Sequence, residues 1–199
     1  MTSPDAIIHL AEARTCIQDS RHRICRTLKE PFFDLQAVND ETLAPGFAID
    51  HEVGALIIPL VGDVITTERI QPGFVQVLSG AFVITNPYKE ELVNYLYLRV
   101  DGNVQEGISH VKLEQNTMKQ VIAGQRIYIG VYDGRRDDVH RLSGDAAGIL
   151  AFVIEGVFEV QNRLLHQRDG LSLWNIEERE VEFEALSQDA MLLLVEVYK

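Results

Sequence analysis

The residue best placed to do chemistry is His51, in the stretch 46–62, GFAIDHEVGALIIPLVG. A glycine turn leads into a short polar segment, and an apolar run of strand length follows. An imidazole in such a place can ligate a divalent metal or move a proton, and many β-barrel enzymes keep a metal there. A divalent ion of this class takes three or four N/O ligands at about 2.0–2.2 Å. Asp50 and Glu52 adjoin His51, but neighbours on a strand point to opposite faces, so neither forms a chelating pair with it. The remaining histidines, His9, His22, His110, His140 and His166, show no i, i+2 or i, i+4 pairing. Each reads as a surface or hydrogen-bonded residue.

Other chemistry-bearing residues are sparse. Tyr95 and Tyr97 lie two apart in LVNYLYLRV (92–100), so their rings share one face. That face could floor an aromatic-ligand pocket, with ordinary barrel core as the plainer reading. Trp174 reads as core or domain interface, and YDGRRDD (132–138) as a solvated hairpin tip. There is no Gly-x-Ser-x-Gly, no phosphate-cradling glycine loop and no dinucleotide fingerprint beside a helix. The two cysteines, Cys16 and Cys25, match no zinc spacing. A chain with its own core needs no covalent staple, so free thiols are expected, with a disulfide as the alternative.

Composition narrows the function further. The net charge is −12, and no stretch gathers the Lys and Arg that would follow a phosphate backbone, so direct nucleic-acid binding is not expected. The N-terminal MTSPDAIIHL lacks the basic start and apolar run of a signal peptide. No segment reaches the roughly 20 apolar residues of a membrane helix. The expectation is a cytoplasmic protein with no membrane partner.

The elements that must position these residues are strands. Short apolar or alternating runs dominate from residue 35 onward: ALIIPLV (55–61), FVQVL (74–78), AFVIT (81–85), LVNYLYLRV (92–100), RIYIGVY (126–132), ILAFVIEGVFEV (149–160), LSLW (171–174), EVEFEAL (180–186) and MLLLVEVY (191–198). EVEFEAL alternates strictly, which marks a strand with one wet face. Gly, Pro, Asn and Asp punctuate the runs at QPGF, NPY, YDG and RDG. The segment DAIIHLAEAR (5–14) suits a helix or a first strand equally.

The chain also repeats itself. GALIIPLVG (54–62) and GILAFVIEG (148–156) share both glycines at the same spacing; PGFVQVL (72–78) matches DGLSLW (169–174), and LVNYLYLRV matches AMLLLVEVY (190–198). Three matches in order, at a nearly constant offset, indicate a duplicated β-unit. The fold class expected is all-β: two similar antiparallel β-barrels from an internal duplication, of the kind that the resemblance described below identifies as cupin-type, a bicupin. The boundary is expected in the polar stretch 101–120. That gives an N-terminal domain over 1–105, a linker over 106–120 and a C-terminal domain over 121–199.

At this point the residues resemble a family. DSRHRI (19–24), LQAVNDETLAPGFAI (35–49) and PGFVQVLSG (72–80) are similar to pirin segments, in that order. FEVQNRLLHQRDGLSLW (158–174) and DAMLLLVEV (189–197) resemble the second cupin domain of pirin-type quercetin 2,3-dioxygenases. The resemblance covers nearly the whole chain. It implies a single iron-type metal in the first barrel, with quercetin dioxygenation or transcriptional regulation as the family's activities.

The site implied by the resemblance departs from the family pattern. Anchored on Gly62, the cupin His-x-His and Glu fall on Ile49, His51 and Ala55, or with the longer spacing on Ala48 and Asp50. The family's second pair falls near Asn86 and Tyr88. His51, Asn86 and Tyr88 are therefore the candidate residues of a degenerate cupin site. The expectation is a bicupin with no metal and no other cofactor, binding a small aromatic ligand or a protein partner as a regulatory module. The alternative is a metal-dependent quercetin 2,3-dioxygenase-like oxidoreductase holding Fe or another divalent transition metal, with His22 or Asp50 joining His51.

Overall fold

The computed structural model of the chain describes residues 4–102, 105–122 and 126–199. Residues 103 and 104, part of the expected boundary stretch, lie outside it. The described residues are built from strands, with one 3-10 turn at Ala11–Ala13. They divide into two compact units, one formed by 14–112 and the other by 1–13 together with 113–199.

The chain begins with β1 (Asp5–His9), which belongs to the second of these units. The segment that suited helix or strand is thus a strand followed by a tight turn. The 14–112 unit contains β2 (Thr15–Gln18), β3 (His22–Arg26), β4 (Leu35–Leu43), β5 (Ala48–His51), β6 (Ala55–Val61), β7 (Val64–Ile65), β8 (Arg69–Ile70), β9 (Phe74–Leu78), β10 (Phe82–Thr85), β11 (Val93–Val100) and β12 (Gly107–His110). Its larger sheet runs β12-β9-β6-β11-β4-β3-β2 and its smaller sheet β5-β10-β7-β8. The other unit adds β13 (Thr117–Gln120), β14 (Ile127–Tyr132), β15 (Arg136–Arg141), β16 (Gly148–Glu155), β17 (Phe158–Val160), β18 (Arg163–Leu165), β19 (Gly170–Trp174), β20 (Glu180–Ala185) and β21 (Ala190–Val197). Its sheets run β1-β19-β16-β21-β14-β13 and β15-β20-β17-β18.

The two orders superimpose strand for strand. β9-β6-β11-β4-β3 corresponds to β19-β16-β21-β14-β13, and β5-β10-β7-β8 to β15-β20-β17-β18. The strands flanked by repeated glycines, β6 and β16, hold equivalent places. Gly62 and Gly156, which follow them, both take the left-handed backbone, at φ 70° and 79°, where glycine carries no steric cost. The duplication also has an asymmetry. The outer strand after β9 is β12, from the same continuous stretch 14–112, whereas the strand after β19 is β1, from the chain's start. β2 has no counterpart.

These pairings correct the expected boundaries. The division falls between 112 and 113, not across a linker at 106–120, because residues 107–110 pair with β9 and 117–120 pair with β14. Residues 1–13 leave the first domain altogether. YDGRRDD is only half a turn: Arg136–Arg141 is a strand paired along its length with β20.

Packing follows the pattern of each run. In β20, Val181, Phe183 and Ala185 are buried while Glu182 is exposed, as strict alternation requires. β6 and β16 read as continuous apolar runs because both their faces are buried. The 14–112 unit closes its interior on Leu43, Ile57, Val64, Ile84, Val93, Tyr95 and Tyr97. The other unit closes on Tyr132, Phe158 and Phe183, stacked edge to face, with Leu171, Leu173, Leu192 and Leu194.

The cysteines correct a second expectation. β2 and β3 pair so that Cys16 lies directly opposite Cys25, and the two form a disulfide. Register, not any need for a staple, brings the sulfurs together.

Candidate functional site

Glu41 is the centre of the only buried ionisable cluster that includes a candidate residue among the described residues. β4 is paired on both sides, to β3 and to β11. Its alternation points Asn39, Glu41 and Leu43 to one face. Tyr95 lies directly across from Glu41 on one side and Ile24 on the other. The carboxylate is 1% exposed, a placement that demands partners.

Glu41 has them. Its Oε2 accepts the Tyr95 hydroxyl at 2.9 Å and meets His22 Nε2 at 3.1 Å. Its Oε1 accepts Asn39 Nδ2 at 3.0 Å. Burial by itself raises the carboxyl pKa, but the bonds from His22, Asn39 and Tyr95, with the charge of His51, outweigh it and hold Glu41 below the usual carboxylate value. Burial and the neighbouring Glu41 charge push the Tyr95 phenol well above its ordinary value, so it stays a donor.

His51 reaches the same carboxylate from the smaller sheet. β5 pairs with β10, with His51 opposite Phe82. The imidazole is stacked between two rings, Phe82 with centroids 5.0 Å apart and Tyr97 at 4.7 Å, both within 18° of parallel. Its Nε2 lies 3.8 Å from Glu41 Oε2, beyond a hydrogen bond, and is buried with no hydrogen-bond partner. Burial lowers the His51 pKa more than the Glu41 charge raises it, so the ring is neutral at pH 7.

The other two candidate residues have architectural roles. Asn86 Nδ2 donates to the carbonyl oxygens of Leu43, Ala44 and Glu91, at 3.1, 3.0 and 2.8 Å. Its Oδ1 accepts the Tyr88 N–H. The Tyr88 hydroxyl accepts the Asp63 N–H at 3.1 Å, and its ring lies under the Arg69 guanidinium. Both tie a loop to the barrel and neither hydrogen-bonds to His51. Ile49 shares the inward face of β5 with His51 but packs as core, and Asp50 is exposed.

Sequence reasoning missed Glu41 and named His22 only as a partner of His51 in the alternative metal site; the structure brings His22 and His51 to the same carboxylate oxygen. The available signal was an Asn-x-Glu-x-Leu alternation inside NDETL, which puts a charge on a face that ends in a core leucine. Tyr95 and Tyr97 do share one face, and it is the face of this cluster.

The second unit holds a different network. Glu196, 3% exposed, binds His140 Nε2 at 2.9 Å, the Ser143 N–H and hydroxyl, and the Tyr198 hydroxyl at 3.2 Å. Arg126 lies over the Tyr198 ring and donates to Ser143 Oγ. Glu196 is on β21, the counterpart of β11, whereas Glu41 is on β4. The duplication therefore did not copy the site.

Few donor atoms stand at the positions where the family resemblance places metal ligands. Ile49 and Ala55 carry no donor atom, and the Asn86 amide is spent on carbonyls. Glu41 is engaged through both oxygens. Among the described residues no group of three or more His, Cys, Asp and Glu is placed to hold a metal ion.

Residues 120–197 match the family model of the quercetinase C-terminal cupin domain. The whole chain has the bicupin fold of solved pirin-type structures. It is similar to bacterial pirin YhhW from Escherichia coli, solved in complex with nickel(II), with a TM-score of 0.79 at 15% identity over 97% of this chain and 100% of that one. YhaK from Escherichia coli matches with a TM-score of 0.65 at 17% identity, over 94% and 95% of the two chains. Quercetin 2,3-dioxygenase from Acinetobacter baumannii matches with a TM-score of 0.66 at 11% identity, over 98% and 88%. No curated protein matches the chain in sequence. The chain thus has a pirin-like bicupin fold, and its second cupin domain is similar to the quercetinase C-terminal one. No helix among the described residues is long and apolar enough to cross a membrane.

Proposed function

We propose that this pirin-like bicupin works without a resident metal, as a binding module for a small aromatic molecule that carries a hydroxyl. The observation that supports this reading is His51 Nε2, buried and unpartnered between Phe82 and Tyr97. A buried polar atom left unsatisfied costs about 1–3 kcal/mol. A ligand hydroxyl removes that cost under either imidazole tautomer, because it both donates and accepts. Phe82 and Tyr97 cover the two faces of the imidazole, so a ligand hydroxyl would meet the ring edge-on at Nε2. Occupancy of such a site gives a regulatory module its signal without any redox step.

One observation favours a second reading. Two imidazole Nε2 atoms converge on one carboxylate oxygen, at 3.1 and 3.8 Å, and two His with one carboxylate is the donor set of non-haem iron enzymes. The alternative is therefore a metal-dependent quercetin 2,3-dioxygenase-like oxidoreductase.

Elemental analysis separates the two, after expression with iron, zinc, nickel and manganese supplied. It is paired with calorimetric binding of quercetin as probe and with oxygen uptake. The binding reading expects no stoichiometric metal, no quercetin-dependent oxygen uptake, and saturable binding weakened about tenfold by His51→Ala, or ~1.4 kcal/mol. One ion per chain, lost in both His51→Ala and Glu41→Gln, would replace it with the dioxygenase.

A further inference from the structure

We propose that Cys16 and Cys25 are a redox-active pair that exchanges with low-molecular-weight thiols at Cys16. Cys16 sits on β2, the edge strand of its sheet, all of whose residues are exposed. Cys25, on the next strand inward, is 0% exposed. One sulfur is thus open to an attacking thiolate and the other is shielded. Arg23 Nη2 lies 3.9 Å from Cys16 Sγ, and a guanidinium beside a cysteine favours its thiolate.

The bond has little else to do. The two cysteines are nine residues apart in a hairpin that backbone pairing already closes. A cross-link there restrains the unfolded chain less than one spanning a long loop. The unit also has its own apolar interior. What the pair does have is position. β3 carries Cys25 and also His22, a hydrogen-bond partner of the Glu41 carboxylate, and Cys25 lies directly across from Asp40, the neighbour of Glu41.

The exchange balances as follows. A thiolate RS⁻ attacks Cys16 Sγ, and an RS–Sγ bond forms as the Sγ–Sγ bond breaks. The electron pair leaves on Cys25 Sγ, which takes a proton from water. A second RS⁻ attacks the outer sulfur of the mixed disulfide. It releases RSSR and leaves a Cys16 thiolate facing Arg23. Two thiols are oxidised and one protein disulfide is reduced; oxidised thiol drives the reverse.

The test equilibrates the folded full-length chain in glutathione buffers of graded reduced-to-oxidised ratio, blocks free thiols by alkylation and reads intact mass. The expected result is full conversion between disulfide and dithiol across those ratios without denaturant. Under oxidised glutathione, Cys25→Ser should gain the mass of one glutathione at Cys16. Cys16→Ser, with only the buried sulfur left, should gain none. Arg23→Gln in the Cys25→Ser background should slow capture several-fold. A disulfide that opens only when the chain is unfolded would overturn the proposal, as would equal capture by the two single variants. The wild-type equilibrium needs no variant, so a misfolded Cys25→Ser does not remove the test.

Discussion

Replacing Glu41 with Gln tests the network at the heart of the first unit. The carboxylate accepts three side-chain bonds, from Tyr95, His22 and Asn39. Hydrogen bonds to a charged acceptor contribute about 1.5–3 kcal/mol each, and neutral ones about 0.5–1.5. The carbonyl of the substituted amide can keep Tyr95 and His22 as neutral bonds, losing roughly 1 kcal/mol each, while the half-buried Asn39 amide turns to accept the new N–H. Glu41→Gln should therefore cost about 2 kcal/mol at pH 7. Glu41→Ala, which strands a fully buried Tyr95 hydroxyl, should cost about 3–4 kcal/mol. The pH dependence carries the sign. Glu41 is held below the ordinary value of 4.5, so its contribution is complete above that value and is lost as pH falls through the lowered one. The gap between wild type and Glu41→Gln should accordingly shrink below about pH 4.5. His51, lowered from 6.5 by burial, likewise contributes above that value and loses it as pH falls, but it does so in both proteins and largely cancels. Urea unfolding followed by far-ultraviolet circular dichroism reads the difference. Trp174, the one tryptophan, reports the other unit by fluorescence and should be unaffected. Equal stability at pH 7, or a gap that persists in acid, would refute a charged, hydrogen-bonded Glu41.

Three further outcomes are expected. Gly156→Ala should destabilise the second unit by about 2 kcal/mol or more, because its φ is 79° and an added Cβ would meet Ser187 Oγ and lie 2.9 Å from the Ala190 Cβ; the thermal midpoint checks it, with the exposed Gly144→Ala as a near-neutral control. Reducing the disulfide should lower the stability of the first unit by at most about 2.7 kcal/mol, the loop-entropy value for about ten residues, read as a drop in midpoint with reductant that Cys16→Ser reproduces. Glu184 faces Asp137 on one neighbouring strand and Glu159 on the other, and like charges directly opposite destabilise a sheet; Glu184→Lys should therefore stabilise by up to about 1 kcal/mol, measured by denaturant midpoint, with the gain shrinking in high salt.

The sequence by itself determined the strands that carry the core and their duplication. β20 is legible because one face is wet, so every second residue must be polar. β6 and β16 are legible as unbroken apolar runs because both faces are dry, and the left-handed glycine after each is visible as a spacing repeated within the chain. Tyr95 and Tyr97 could be placed on one face from the two-residue period alone. Tertiary structure decided what stands across from that face. His22, Glu41 and His51 come from three strands in two sheets, and nothing in the local pattern of any one of them marks the others. The same holds for the sulfurs of Cys16 and Cys25, which register sets opposite one another, and for β1, which completes a sheet built from residues more than a hundred positions away. The physical reason is common to all three. Side-chain direction along a strand is a property of the backbone's own period, so sequence carries it. A strand's neighbours are chosen by burial and hydrogen bonding over the whole unit, so a site assembled across strands exists only once that choice has been made.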